Sequence, residues 1–209
     1  VIIEHFLWKI PGLSEHFIYA NDDMFFGRPV APEFFFTPEG LPIVRLQRAF
    51  MGKWNNEIKK ALSIPTNIYR KTIHRAARLI EKKFGRYFSA TPHHNIDAYL
   101  KSDYRRVVEE DFKEEIAATI THHVRSDKDI QRIIYLYYAL AVKRGVLRLV
   151  GRGESCRIRL HKPDYMYFIR KYSPYLFCLN DSHRATDEDR DRVVPFLEGL
   201  FPDKSSFEK

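Results

Sequence analysis

Apolar positions change their spacing along the chain, and the spacing divides it into elements. Ile2, Ile3, Phe6 and Leu7 fall on one helical face over residues 1 to 9. Pro11 and Gly12 interrupt the pattern, and Phe17, Ile18 and Tyr19 then supply the β-favouring bulk of a short strand. Phe34 to Thr37 and Pro42 to Leu46, joined by Glu39-Gly40, predict a hairpin. From Asn55 to Phe84 the period is helical, with Ile73, Ala76, Ala77, Ile80 and Phe84 in register and Pro65-Thr66 as a start signal. Further helices are predicted at 97 to 106, at 107 to 122 from Val108, Phe112, Ile116 and Ile120, and at 127 to 143 from Ile130, Ile133, Ile134 and Tyr137. Cys156 to Leu160 reads as a strand, 163 to 172 as a short helical turn, and Tyr175 to Leu179 as a second apolar strand. A final helix follows the cap at Ala185 to Asp189, kinked or restarted at Pro195.

Two of these strands end alike. The first runs into Asn21-Asp22-Asp23 and the second into Asn180-Asp181-Ser182. Neighbouring acids do not ionise together cheaply unless a cation or several hydrogen bonds compensate them, so Asp22-Asp23 reads as a divalent-metal or acid/base site. An Asx turn at a strand end is the plainer reading of the same residues. If the two strands are neighbours in one sheet, their Asn-Asp ends project from one edge, where open α/β sheets place ligands, and three carboxylates converge.

The loop Phe88-Ser-Ala-Thr-Pro-His-His-Asn95 offers a second candidate, because His93 or His94 could stand near phosphates; an exposed histidine pair in a loop is more often inert. A third is Val124-Arg-Ser-Asp-Lys-Asp-Ile-Gln131, where Arg125 could grip a diphosphate, or Ser126 and Asp127 could simply cap the next helix.

The run Ile10-Pro-Gly-Leu-Ser-Glu-His-Phe-Ile-Tyr-Ala-Asn-Asp-Asp-Met-Phe-Phe-Gly-Arg-Pro-Val30, with Phe177-Cys-Leu-Asn-Asp-Ser182 and Leu200-Phe-Pro-Asp-Lys-Ser-Ser-Phe-Glu208, resembles the Stealth family of sugar-1-phosphate transferases. That family includes bacterial capsule polymerases and the catalytic subunit of the N-acetylglucosamine-1-phosphotransferase of the lysosomal tag. Its second block corresponds to residues 4 to 30, its third to about 88 to 140 and its fourth to 173 to 208. The first block, a strand of the type Asp-Ile-Val-Tyr-Thr-Trp-Val-Asp-Gly-Ser-Asp, has no counterpart. We therefore expect the chain to be the carboxy-terminal larger part of one catalytic domain over 1 to 209, with a helical portion at about 55 to 145. A second departure lies in the third block. The family usually carries a histidine two residues before the proline, and here that position is Ala90; either the role has moved to His93 or His94, or this chain lacks that histidine.

Composition narrows the partners. Of the 209 residues, 44% are apolar and 14% aromatic, enough for a sizeable core. The longest apolar run, Ile133 to Val142, is about half the length that spans a bilayer. Two cysteines, Cys156 and Cys178, are too few for a disulfide framework and point to a reducing compartment, and the sequon at Asn180 reads as coincidence. A net charge of +8 asks for an anionic partner. The basic residues are interleaved with acids along the helices and no nucleic-acid signature accompanies them, so nucleic acid is not expected, although a basic anionic-polymer or nucleic-acid binding domain without catalysis is the alternative class.

The fold expected is α/β, a mixed sheet resembling that of nucleotide-sugar transferases with a helical insertion. The resemblance implies transfer of a hexosamine-1-phosphate from a UDP-sugar, a UDP-N-acetylhexosamine, to a hydroxyl of a growing anionic capsule polymer, with release of UMP. It implies Mg²⁺ or Mn²⁺ held by Asp22, Asp23 and Asp181, substrate contacts from Asn21, Arg125 and Asn180, and catalytic roles among Asp23, His93, His94 and Arg125. The setting implied is bacterial and cytoplasmic, with peripheral association at the inner membrane and oligomerisation left open.

Overall fold

The computed structural model describes residues 2–49, 52–162 and 164–204, so Ser205 to Glu208 of the last motif and position 163 of the predicted helical turn lie outside the described residues. The chain is mixed α/β and folds as two compact units. The first comprises the residues up to Tyr19, Ala31–Pro92 and Asp97–Leu149; the second comprises Ala20–Val30, His93–Ile96 and the residues from Val150 onward.

The first unit is built around one helix. A 3-10 helix at Ile3–Lys9 leads through the Gly12 turn, where φ is +75°, into β1 (His16–Tyr19). A 3-10 turn at Pro32–Phe34 precedes β3 (Ile43–Gln47), and a single bridge between Phe36 and Pro42 stands where the hairpin is predicted. The predicted helix at 55 to 84 is two helices, α1 (Gly52–Ala61) and α2 (Ile68–Phe84). Pro65 prevents a continuous run, and Asn67 restarts it by accepting a hydrogen bond from the Arg70 amide at 2.9 Å. β4 (Thr91–Pro92) pairs antiparallel with β3, and β3 pairs parallel with β6 (Val146–Leu149). β5 (Asp97–Leu100) pairs antiparallel with β1, aligning Tyr99 with Phe17.

Three helix boundaries differ from the periodic reading, each for a tertiary reason. Residues 97 to 100 are strand because β1 needs a partner and all four are buried; α3 (Lys101–Arg106) begins only after them. Residues 107 to 122 contain a π turn at Val107–Asp111 followed by α4 (Lys113–Ile120), the break falling where Phe112 is driven into the core at φ −135°. The predicted helix at 127 to 143 starts at Ile133, as α5 (Ile133–Ala141), because Ser126 and Asp129 form a local turn in which the Ser126 amide donates to Asp129 Oδ2 at 2.9 Å.

Every residue of α5 from Ile133 to Leu140 is buried. Against it pack Ile73, Ala76, Ala77 and Ile80 of α2, and each large side chain so buried contributes about 1.5–3 kcal/mol. The apolar run is therefore the core of the first unit, and no helix among the described residues is long and apolar enough to cross a membrane. Tyr104 and Tyr135 stack at 3.5 Å between ring centroids, and Tyr135 also bonds His5 Nδ1 at 2.7 Å. The Tyr137 hydroxyl donates to the Ala90 carbonyl at 2.6 Å, fixing the backbone before Pro92 to α5.

The second unit is a three-stranded sheet in the order β2 (Met24–Phe26), β8 (Leu176–Asn180), β7 (Ser155–Arg159). β7 and β8 are parallel, β2 and β8 antiparallel. Its core joins Cys156, Ile158, Phe177 and Leu179 with Ile169 of α6 (Tyr165–Tyr172) and Val193 of α7 (Asp187–Leu200). A capping box of Thr186 and Asp189 opens α7, which runs through Pro195. Gly27 ends β2 where a Cβ would collide with the Pro174 carbonyl oxygen, so the close approach of that loop requires glycine.

Candidate active site

The strand that leads into Asn21-Asp22-Asp23, β1, pairs with β5 rather than with β8. It is the strand leaving the acids, β2, that lies beside β8, in register Met24 with Cys178 and Phe25 with Phe177. Because that pair is antiparallel, β2 begins where β8 ends, and the two Asn-Asp ends meet at the same end of the sheet. The Leu179 amide donates to the Asp23 carbonyl at 2.8 Å and carries the ladder one residue further. Asn21, Asp22, Asp23 and Asp181 line one open cleft of about 430 Å³, with Phe25, Leu179, Val193 and Leu197 as its apolar wall.

The carboxylates differ in their surroundings. Asp22 is exposed. Asp181 is exposed too, and Arg190 grips it through Nε at 3.0 Å and Nη2 at 3.3 Å, which holds its carboxyl below the usual range. Asp23 is half-buried; its Oδ2 accepts from the Cys178 thiol at 3.1 Å, and its Oδ1 is buried with no hydrogen-bond partner among the described residues. Burial, and then the Asp23 carboxylate, push the Cys178 thiol well above its ordinary range, so it stays a protonated donor. Asn180 ends β8, half-buried, and its carbonyl accepts from the Leu160 amide at 3.4 Å.

One imidazole joins this group. Donor atoms of Asp23, His94 and Cys178 all lie within 4.8 Å of one another. His94 has φ +57°, a left-handed conformation rarely taken by a non-glycine residue, and its neighbours hold it there. His93 is buried, with Nδ1 2.8 Å from Ser155 Oγ, and the Asn95 side-chain amide donates to the same oxygen at 3.2 Å. Ser155 at the head of β7 thus anchors the residues on both sides of His94. As site residues Ser155, Asn95 and Cys178 leave no mark in the sequence; a serine beginning a strand and a cysteine within an apolar one carry no spacing signal.

Ala90 and Arg125 belong to the first unit, whereas Asn21, Asp22, Asp23, His93, His94, Asn180 and Asp181 belong to the second. Arg125 is exposed in the loop before α5 and forms no hydrogen bond or ion pair among the described residues.

The donor set suits a hard cation better than a soft one. Carboxylate oxygens dominate the cleft, and the Cys178 sulfur is a protonated thiol already donating to Asp23. The buried Asp23 Oδ1 is an acceptor that a cation would satisfy.

Comparison with known proteins matches two stretches of the chain to family models, Stealth protein CR2, conserved region 2, over residues 1–44, and Stealth protein CR4, conserved region 4, over residues 168–209. Among curated relatives, the exopolysaccharide phosphotransferase CpsY of Mycobacterium tuberculosis is 34% identical over 221 residues, covering 99% of this chain and 39% of the relative. An exopolysaccharide phosphotransferase of Nocardia farcinica is 34% identical over 218 residues, covering 99% and 41%. The capsular polysaccharide phosphotransferase SacB of Neisseria meningitidis serogroup A is 32% identical over 219 residues, covering 99% and 39%. The chain therefore spans about two fifths of the length of these relatives.

Proposed function

The chain belongs to the Stealth family, carrying its second and fourth conserved regions, and we propose that it is part of a phosphotransferase that moves a hexosamine-1-phosphate from a UDP-sugar to a hydroxyl of a capsular or exopolysaccharide polymer. The observation that carries this reading is the convergence of Asp22, Asp23 and Asp181 in one cleft with His94 beside Asp23. A fold of the kind used by nucleotide-sugar transferases, with its donor cleft at the strand ends, is part of the same proposal.

Asp22, Asp23 and Asp181 would hold Mg²⁺ or Mn²⁺, which when bound neutralises diphosphate charge and lets a nucleoside monophosphate leave. The protein's own groups do the rest. The acceptor oxygen attacks the sugar-bearing β-phosphorus, its proton passes to the His94 imidazole, and the bond to the UMP oxygen breaks. The C1–O bond of the sugar is untouched, so anomeric configuration is retained. The Cys178 thiol and the Ser155 anchor keep Asp23 and His94 in place. Asn21 and Asn180 would contact the sugar or nucleotide, and Arg125 the diphosphate through its planar fork.

The test is binding by the full-length parent. UDP should bind in the presence of Mg²⁺ and be lost on chelation, and Arg125→Lys should weaken it markedly because an ammonium cannot reproduce the bidentate fork. Steeply salt-dependent binding to arbitrary DNA without Mg²⁺, and no UDP binding, would establish instead a basic nucleic-acid-binding domain.

A further inference from the structure

A second cleft in the same unit lies against β7 and α6, and the proposed chemistry leaves it unused. It has a volume of about 350 Å³ and its charged lining is Arg152, Arg157, Arg159 and Lys162 against one carboxylate, Asp164, with Phe168 beside them. It shares no lining residue with the acidic cleft.

The sequence of β7 makes the basic wall. Cys156 and Ile158 alternate inward to the core, so Arg157 and Arg159 are turned outward on one face, about 7 Å apart along the strand. The turn after the strand, where the Lys162 amide donates to the Arg159 carbonyl at 2.9 Å, returns Lys162 to the same side. Arg152 is held in place: Nη1 donates to the Tyr172 hydroxyl at 3.0 Å and its guanidinium lies 5.5 Å and 5.4 Å from the Phe168 and Tyr172 ring centroids. Among the described residues, Arg157, Arg159 and Lys162 form no ion pair. Elsewhere in the chain Arg105 is matched by Glu109 at 2.7 Å and Arg190 by Asp181 and Asp187. Four cations against one carboxylate in a single cleft give it a net positive charge, which suits an anion.

We propose that this cleft binds phosphodiester groups of a linear anionic polymer, as a subsite apart from the donor cleft. The naming of that polymer as acceptor or product rests on the phosphotransferase reading; the affinity for phosphodiesters does not. A polymer lengthened by sugar-1-phosphate transfer gains one phosphodiester with each unit, so it presents a row of monoanions. Guanidinium groups placed in succession along a strand meet such a row one after another, whereas a single diphosphate calls for cations converging on one point.

The experiment uses the full-length parent and, as probe, a glycerol-phosphate oligomer of about ten units in fluorescence anisotropy at low and moderate salt, with UDP plus Mg²⁺ titrated separately. The double variant Arg157→Gln, Arg159→Gln should lose roughly tenfold or more in oligomer affinity and flatten its salt dependence, with UDP affinity unchanged. Lys162→Gln, at an exposed turn, should give a smaller loss in the same direction. Oligomer affinity within twofold of the parent in both variants overturns the proposal, and so does a parallel loss of UDP affinity, which makes the cleft a nucleotide site. A parent that binds the oligomer through these residues yet transfers no sugar phosphate would sink the proposed reaction and leave this subsite standing; transfer with oligomer binding untouched by the variants would do the reverse.

Discussion

The thiol of Cys178 donates to Asp23 Oδ2 at 3.1 Å while Oδ1 of the same carboxylate is buried with no hydrogen-bond partner among the described residues. One oxygen is committed to holding the side chain and the other is left for a cation or substrate. The two roles separate in substitutions. Asp23→Asn in the full-length parent should keep the fold and lower turnover by orders of magnitude, since it removes charge from the cleft rather than volume from the core. Cys178→Ser retains a donor and should behave nearly as the parent. Cys178→Val leaves both Asp23 oxygens unpaired and should cost about 1–3 kcal/mol in denaturant unfolding. Full turnover with Asp23→Asn would remove Asp23 from the chemistry.

The histidines make a sharper contrast. His94 lies beside Asp23, whereas His93 is buried against Ser155 and Ala90 is fixed through its carbonyl to Tyr137. His94→Ala should therefore lower turnover by roughly two to four orders of magnitude, the range of general acid/base help, with little change in unfolding midpoint. His93→Ala should lower the midpoint, because it breaks the anchor and opens a cavity. Ala90→His should bring no gain in turnover. A strong gain from Ala90→His together with an inert His94→Ala would place the working imidazole before Pro92 instead.

His5 supplies a pH prediction away from the site. Burial pushes its imidazole from the ordinary 6.5 down to about 4, and it hydrogen bonds Tyr135 and the Ile130 carbonyl as the neutral ring. The unfolded chain binds this proton at higher pH than the folded one, so the stability His5 contributes is full above about 6.5 and falls as pH drops toward 4. The total is on the order of 3 kcal/mol over that interval, at about 1.36 kcal/mol per unit. Denaturant midpoints measured between pH 7 and pH 4.5 should fall less steeply in His5→Gln than in the parent chain, once its lower starting stability is subtracted. Parallel slopes would mean that the His5 imidazole binds its proton as readily in the fold as in the unfolded chain.

Much of this architecture was legible, and the misses share a cause. Apolar spacing located α2, α5 and β8 because each buries one continuous face or run in its own unit. It misjudged 97 to 100, where pairing with β1 overrides a pattern equally good for a helix, and it passed over β6, whose four residues are all exposed and show no alternation. The convergence of the two Asn-Asp ends was readable from their likeness, but the strand that brings them together was not, since only the register shows that β2 rather than β1 lies beside β8. His94 could be named as one of a pair. That its neighbours are clamped to Ser155, sixty or more positions on along the chain, is long-range information that local spacing does not hold.

In the proposed reaction the phosphorus, not the sugar carbon, is attacked, and the leaving nucleotide distinguishes the two. The full-length parent, incubated with UDP-N-acetylhexosamine, Mg²⁺ and a polysaccharide acceptor, should release UMP in step with acceptor growth, and phosphorus NMR of the product should show a new phosphodiester. Asp23→Asn should abolish both signals. Release of UDP with no phosphorus in the product would mean that the C1–O bond is broken and the chain serves a glycosyl transferase, which contradicts attack at phosphorus.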